Sequence, residues 1–71
     1  MKVYSRNNCP PCQTLRYWLE KNNIKYELID IDQSPALAYA LNIAQVPYIV
    51  IGDHIVQGLN IPRLKQLLKV N

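Results

Sequence analysis

Cys9-Pro10-Pro11-Cys12 is the one cluster in this chain whose residue types and spacing read at once as chemistry. Two cysteines separated by two residues bring their sulfurs within bonding reach when a helix begins between them. The first N–H groups of a helix lack internal partners and carry partial positive charge. A Cys9 thiolate at that place is stabilised, so its thiol ionises more readily than an ordinary one. Pro10 and Pro11 have no N–H, which leaves the amides of Cys12 and Gln13 as donors to the Cys9 sulfur. The prolines also stiffen the turn. The chemistry implied is thiol–disulfide exchange. Cys9 attacks a partner disulfide, and Cys12, one turn further in and less exposed, attacks the mixed disulfide and releases the reduced partner.

A cysteine pair has other uses. A zinc site needs about four ligands, and the chain offers these cysteines and a single histidine, His54. A metal or cluster bridged between two copies stays open, as does a non-catalytic binding module. A purely structural disulfide closes too short a loop here to add much stability.

The secondary structure around the pair follows from patterning. Lys2 to Ser5 suits a first strand, β1, through Val3 and Tyr4. Leu15, Trp18 and Leu19 recur at helical spacing over Cys12 to Asn22, the expected α1, with Asn22-Asn23 able to end it. Lys25 to Ile31 reads as β2 and is apolar on both faces. Ser34-Pro35 has the form of an N-cap and first residue for a short α2 ending near Leu41. Pro47 to Ile51 is nearly all apolar, so β3 should be central and buried on both faces. Gly52-Asp53 marks a hairpin turn into β4, His54 to Val56, which Gly58 breaks. Asn60 can cap α3, whose apolar side holds Ile61, Leu64, Leu67 and Leu68. The β-α-β-α-β-β-α order makes β1 and β2 parallel through a right-handed crossover, with β3 and β4 a hairpin. Trp18 reads as core, and Tyr4, Tyr26, Tyr39 and Tyr48 as fillers of space in a chain without phenylalanine.

A chain of 71 residues is expected to form one domain over 1–71, and its 49% hydrophobic content is that of a folded protein. The net charge is +3, but Lys2, Arg6, Arg16, Lys21, Lys25, Arg63, Lys65 and Lys69 form no run, which argues against a nucleic-acid footprint. No apolar run approaches a membrane span, and nothing reads as a signal peptide. A cytoplasmic monomer is the expectation. In a reducing compartment a C-x-x-C pair points to exchange or metal binding rather than to a staple.

Taken with the segments around it, the motif resembles the glutaredoxin family of the thioredoxin fold. Val3-Tyr4-Ser5-Arg6 precedes the cysteines, Val46-Pro47 precedes an apolar strand, and Gly58 precedes the last helix, in the family's order and spacing. The resemblance covers essentially the whole chain. It implies a three-layer α/β fold with three helices and a four-stranded mixed sheet ordered β2-β1-β3-β4. It also implies a cis Val46–Pro47 bond facing the cysteines, with the Val46 backbone offering an N–H and a C=O to an extended substrate. Arg6 stands where many members carry a base that holds a glutathione carboxylate, and it reads equally as a free surface charge. Gly58 allows close backbone approach.

Three positions depart from the glutathione-using pattern. Pro11 stands for Tyr, Gln45 for Thr before Val-Pro, and Asn60 for an Asp that would meet the glutathione amine. They shift the resemblance toward the glutathione-independent redoxins that feed ribonucleotide reductase and are recharged by thioredoxin reductase. Those redoxins usually carry an aromatic residue and Arg where this chain has Leu59 and Asn60. The leading expectation is an electron carrier that reduces protein disulfides and binds no cofactor beyond its own Cys9–Cys12 dithiol or disulfide. A glutathione-dependent glutaredoxin is the alternative.

Overall fold

The computed structural model describes residues 1–70. The elements are β1 (Lys2–Ser5), α1 (Pro10–Lys21), β2 (Glu27–Asp30), α2 (Pro35–Ala40), β3 (Tyr48–Ile51), β4 (His54–Gln57) and α3 (Ile61–Leu68). The sheet order is β2-β1-β3-β4. β1 and β2 are parallel, with Val3 opposite Leu28 and Ser5 opposite Asp30. β3 runs antiparallel to both β1 and β4, with Tyr48 opposite Tyr4 on one side and Gln57 on the other.

Strand side chains alternate between faces, and each face builds its own core. Val3, Ile49 and Val56 pack with Leu15 and Leu19 of α1 and Leu64 of α3. Tyr4 and Tyr48 point the other way and pack with Ile31, against Ala38 of α2, Ile43 and Val46. The Tyr4 and Tyr48 rings meet edge to face, 5.7 Å between centroids. This gives three layers, with α1 and α3 below the sheet and α2 above it.

Several expectations change in detail. α1 starts at Pro10 rather than Cys12. A first-turn amide has no helical partner to lose, so proline fits there without cost. β2 is shorter than Lys25 to Ile31, and Glu27 and Leu28 are exposed. It is an edge strand with β1 as its single neighbour, so its outer side stays wet. β3 buries Tyr48 and Ile49 and leaves Val50 and Ile51 half-buried toward the far end. Ser34 stands at the N-cap of α2, but its side chain makes no capping bond. Tyr39 is 87% exposed and fills no core space. Trp18 does pack against the lower core, partly buried. Asn23 and Asn42 end their segments with positive φ, 57° and 55°, as short polar side chains allow.

Candidate active site

The sheet register collects the predicted site residues at one end. β1 points its C-terminus there, followed by Arg6 and the turn to Cys9. β2 ends beside it, because the Ile31 N–H continues the ladder onto the Ser5 carbonyl at 2.9 Å. β3 starts at that end, since Tyr48 pairs with Tyr4, so Val46-Pro47 lies there too. β4 finishes there, and the Gly58 N–H donates to the Pro47 carbonyl at 2.7 Å.

Asn8, at φ 55°, turns the chain into the helix. Cys9 is the N-cap of α1, with extended backbone angles of −119° and 97°. The Cys12 N–H donates to Cys9 Sγ at 3.3 Å. The Gln13 N–H does not: it donates to the Cys9 carbonyl at 3.1 Å, the first full helical bond. The sulfur therefore receives its one backbone donor from Cys12, and Gln13 does not add a second. The cysteines are joined as a disulfide with Cα atoms 5.2 Å apart. Cys9 keeps 9% of its surface exposed and Cys12 2%, while Pro10 and Pro11 cover the turn as exposed residues.

Val46–Pro47 is cis, as the resemblance implied. Gly58 is buried with φ +81°, and a Cβ placed on it would lie 2.8 Å from Gln45 Nε2. The glycine is thus needed for its conformation and for the side chain lying over it. Arg6 lines a cleft of about 80 Å³ with Ile31, Ile43, Ala44, Gln45 and Val46. It is not a free base, because its Nε sits 3.2 Å from Asp32 Oδ1.

Asp32 is the residue that the sequence did not mark as part of this end, and the contact of Gln45 with Gly58 is the other unmarked feature. A signal existed for Asp32. Parallel pairing of β1 with β2 puts the residues after Ser5 beside those after Asp30. Gln45 is marked by its place before Val46-Pro47, but its contact with Gly58 is not, since Gly58 is reached through the β3–β4 hairpin.

A larger depression of about 470 Å³ runs along the outside of α1, between Gln13, Arg16, Tyr17, Glu20 and Lys21. It contains none of the redox-end residues, so size alone is a poor guide to the chemistry here. Its charges are tied locally. Arg16 Nε donates to the Tyr26 hydroxyl at 3.5 Å, which donates to Glu20 Oε2 at 3.0 Å. The Tyr26 bond raises the Arg16 pKa above its ordinary value. Among the described residues no group of three or more His, Cys, Asp or Glu is placed to hold a metal. None of the described helices is long and apolar enough to cross a membrane.

Comparison with known families decides the kinship: the glutaredoxin profile matches residues 1–56. The chain belongs to the glutaredoxin family. Among relatives, the glutaredoxin-like protein NrdH of Escherichia coli K12 is 32% identical over 54 residues, covering 72% of this chain and 67% of its own. The NrdH of Lactococcus lactis IL1403 is 42% identical over 33 residues, and the match spans 46% of each chain, under half of that relative's length. Among solved structures, a mutant of the thioredoxin-like protein BC3987 superposes with a TM-score of 0.88 at 34% identity. That match covers 99% of this chain and 95% of the other. The NrdH-redoxin of Escherichia coli, described as having a thioredoxin-like activity profile, gives a TM-score of 0.82 at 25% identity, covering 99% and 92%. These neighbours share the thioredoxin-like architecture seen here. Family membership and the joined cysteine pair together support thiol–disulfide oxidoreductase activity.

Proposed function

We propose that this chain is a dithiol electron carrier for protein disulfides, with Cys9 attacking, Cys12 resolving, and thioredoxin reductase restoring the dithiol. The observation that carries the reading is the asymmetry of the pair. Cys9 caps a helix, receives the Cys12 N–H and is the more exposed sulfur. Cys12 is packed beneath it. In the forward step the Cys9 thiolate attacks one sulfur of the substrate disulfide and expels the other as a thiolate. Cys12, deprotonated, then attacks Cys9 Sγ, closes the intramolecular disulfide and releases the second substrate thiolate. Two electrons pass from the dithiol to the substrate.

Pro10 and Pro11 shape the turn. Val46 offers its backbone to an extended substrate, Pro47 and Gly58 set the floor of that groove, and Arg6 borders it. The three departures from the glutathione pattern, at Pro11, Gln45 and Asn60, favour thioredoxin reductase over glutathione as electron source. The likeness to NrdH proteins, one of which is described by its thioredoxin-like activity profile, makes ribonucleotide reductase the first protein substrate to try. A single-domain monomer in the cytoplasm is the setting this role needs.

The test is NADPH consumption with a disulfide substrate, driven either by thioredoxin reductase or by glutathione with glutathione reductase. Turnover with thioredoxin reductase alone supports the proposal. Turnover with glutathione alone replaces it with a glutathione-dependent glutaredoxin. Turnover with neither moves the chain to a binding or metal-bridging role.

A further inference from the structure

The cleft at the redox end contains one cation, and a carboxylate of the chain itself already holds it. Arg6 and Asp32 pair at 3.2 Å, with their side chains 56% and 47% exposed. A second carboxylate sits in the same turn, where Asp30 Oδ1 accepts the Asp32 N–H at 2.9 Å. The remaining wall, Ile31, Ile43, Ala44, Gln45 and Val46, is uncharged. No charged side chain occurs anywhere from Gln33 to Gly52. Locally, then, one Arg is paired with Asp32, and Asp30 lies in the same turn, although the chain as a whole carries +3.

We propose that Asp32 is a specificity-determining residue, which occupies Arg6 and so turns the cleft against anionic disulfides and toward uncharged ones. The inference rests on the exchange chemistry proposed for Cys9 and Cys12 and is independent of which reductase supplies the electrons. The reaction is the two-step exchange given above. The dithiol loses two electrons, R–S–S–R becomes two thiolates, and these take up protons from solvent. Asp32 touches no reacting atom. It acts on the charge carried by R, through Arg6.

The experiment uses protein reduced beforehand and freed of reductant, so no reductase enters. It is mixed at low ionic strength with three disulfides of similar length: dithiodipropionate, a dianion; hydroxyethyl disulfide, neutral; and cystamine, a dication. Acid quenching and mass analysis follow formation of the Cys9–Cys12 disulfide. Asp32→Asn is expected to raise the dithiodipropionate rate relative to hydroxyethyl disulfide by about three- to tenfold, the scale of one unmatched charge about 5 Å away in a watery cleft. The relative cystamine rate should fall. Both changes should collapse in molar salt. Arg6→Gln should shift the ratios the other way, and Arg6→Gln with Asp32→Asn should narrow the spread between the three. If Asp32→Asn does not fold, as circular dichroism would show, the Arg6→Gln ratios carry the test. A common factor on all three rates, unchanged ratios, or ratio changes that persist in molar salt would overturn the role of Asp32. Failure of the reduced wild-type protein to react with any of the three would instead overturn the exchange chemistry beneath it.

Discussion

Two glycines with positive φ give an internal comparison that weighs the contact between Gln45 and Gly58. Gly52, at φ +57°, has nothing within 4 Å of where a Cβ would stand. Gly58, at φ +81°, would place its Cβ 2.8 Å from Gln45 Nε2 and 3.3 Å from Gln45 Cδ. Alanine at either position carries the left-handed penalty, about 1–2 kcal/mol. Alanine at Gly58 must also drive Gln45 out of its place, which adds about 0.5–1.5 kcal/mol if the side chain leaves its rotamer well. Gly52→Ala is therefore expected to cost about 1–2 kcal/mol and Gly58→Ala about 1.5–3.5 kcal/mol. For a domain of this size each kcal/mol lowers Tm by about 4–8 °C. Urea unfolding reads both variants as a lower midpoint at constant slope. In a Gln45→Ala background the extra cost at Gly58 should vanish, leaving the two glycine substitutions alike. Gly58→Ala costing no more than Gly52→Ala, or an excess that survives removal of Gln45, would refute the contact as the cause.

Further outcomes follow from the same geometry. Cys12→Ser should trap a mixed disulfide on Cys9 when mixed with a disulfide substrate, detected as a mass adduct that added thiol releases. Cys9→Ser should trap far less, because Cys12 is only 2% exposed; equal trapping by both would reverse the assigned order. Leu15→Ala empties the lower core, where Leu15 is fully buried, and should cost about 2–5 kcal/mol, enough to populate the unfolded chain in calorimetry. Asn60→Ala removes the side-chain oxygen that accepts the Arg63 N–H at 3.2 Å and should cost about 0.5–2 kcal/mol, with Asn60→Asp restoring most of it.

What could be read in advance was local. Cys9 at the start of a helix, the αL asparagines, the Asn60 cap and the Gly52 turn all follow from a few adjacent residues. The sheet order and the cis Val46–Pro47 bond came through the resemblance, and the structure bears them out. The unread features depend on neighbours far apart in the chain. Arg6 leaves two readings open in the sequence, a carboxylate-holding base or a free surface charge, because its partner Asp32 arrives only through the β1–β2 crossover. Tyr39 reads as a filler of space because the chain lacks phenylalanine, and composition does not show how little of a six-residue helix the sheet can cover. The Gln13 amide went to a carbonyl instead of the sulfur because a helix that begins at Pro10 needs that bond as its first.

The hairpin turn at Gly52-Asp53 lies at the end of the sheet away from the cysteines, since β3 runs from Tyr48 beside Tyr4 to Ile51 past Lys2. Gly52, Asp53 and His54 are all exposed, and open space surrounds Gly52. The molecule thus has a reactive pole and a quiet one. A loop tip of this kind tolerates insertion, so a fluorophore, an affinity peptide or a tether to a surface can be spliced between Gly52 and Asp53 while the opposite pole stays open to its disulfide. The fold carries its own handle.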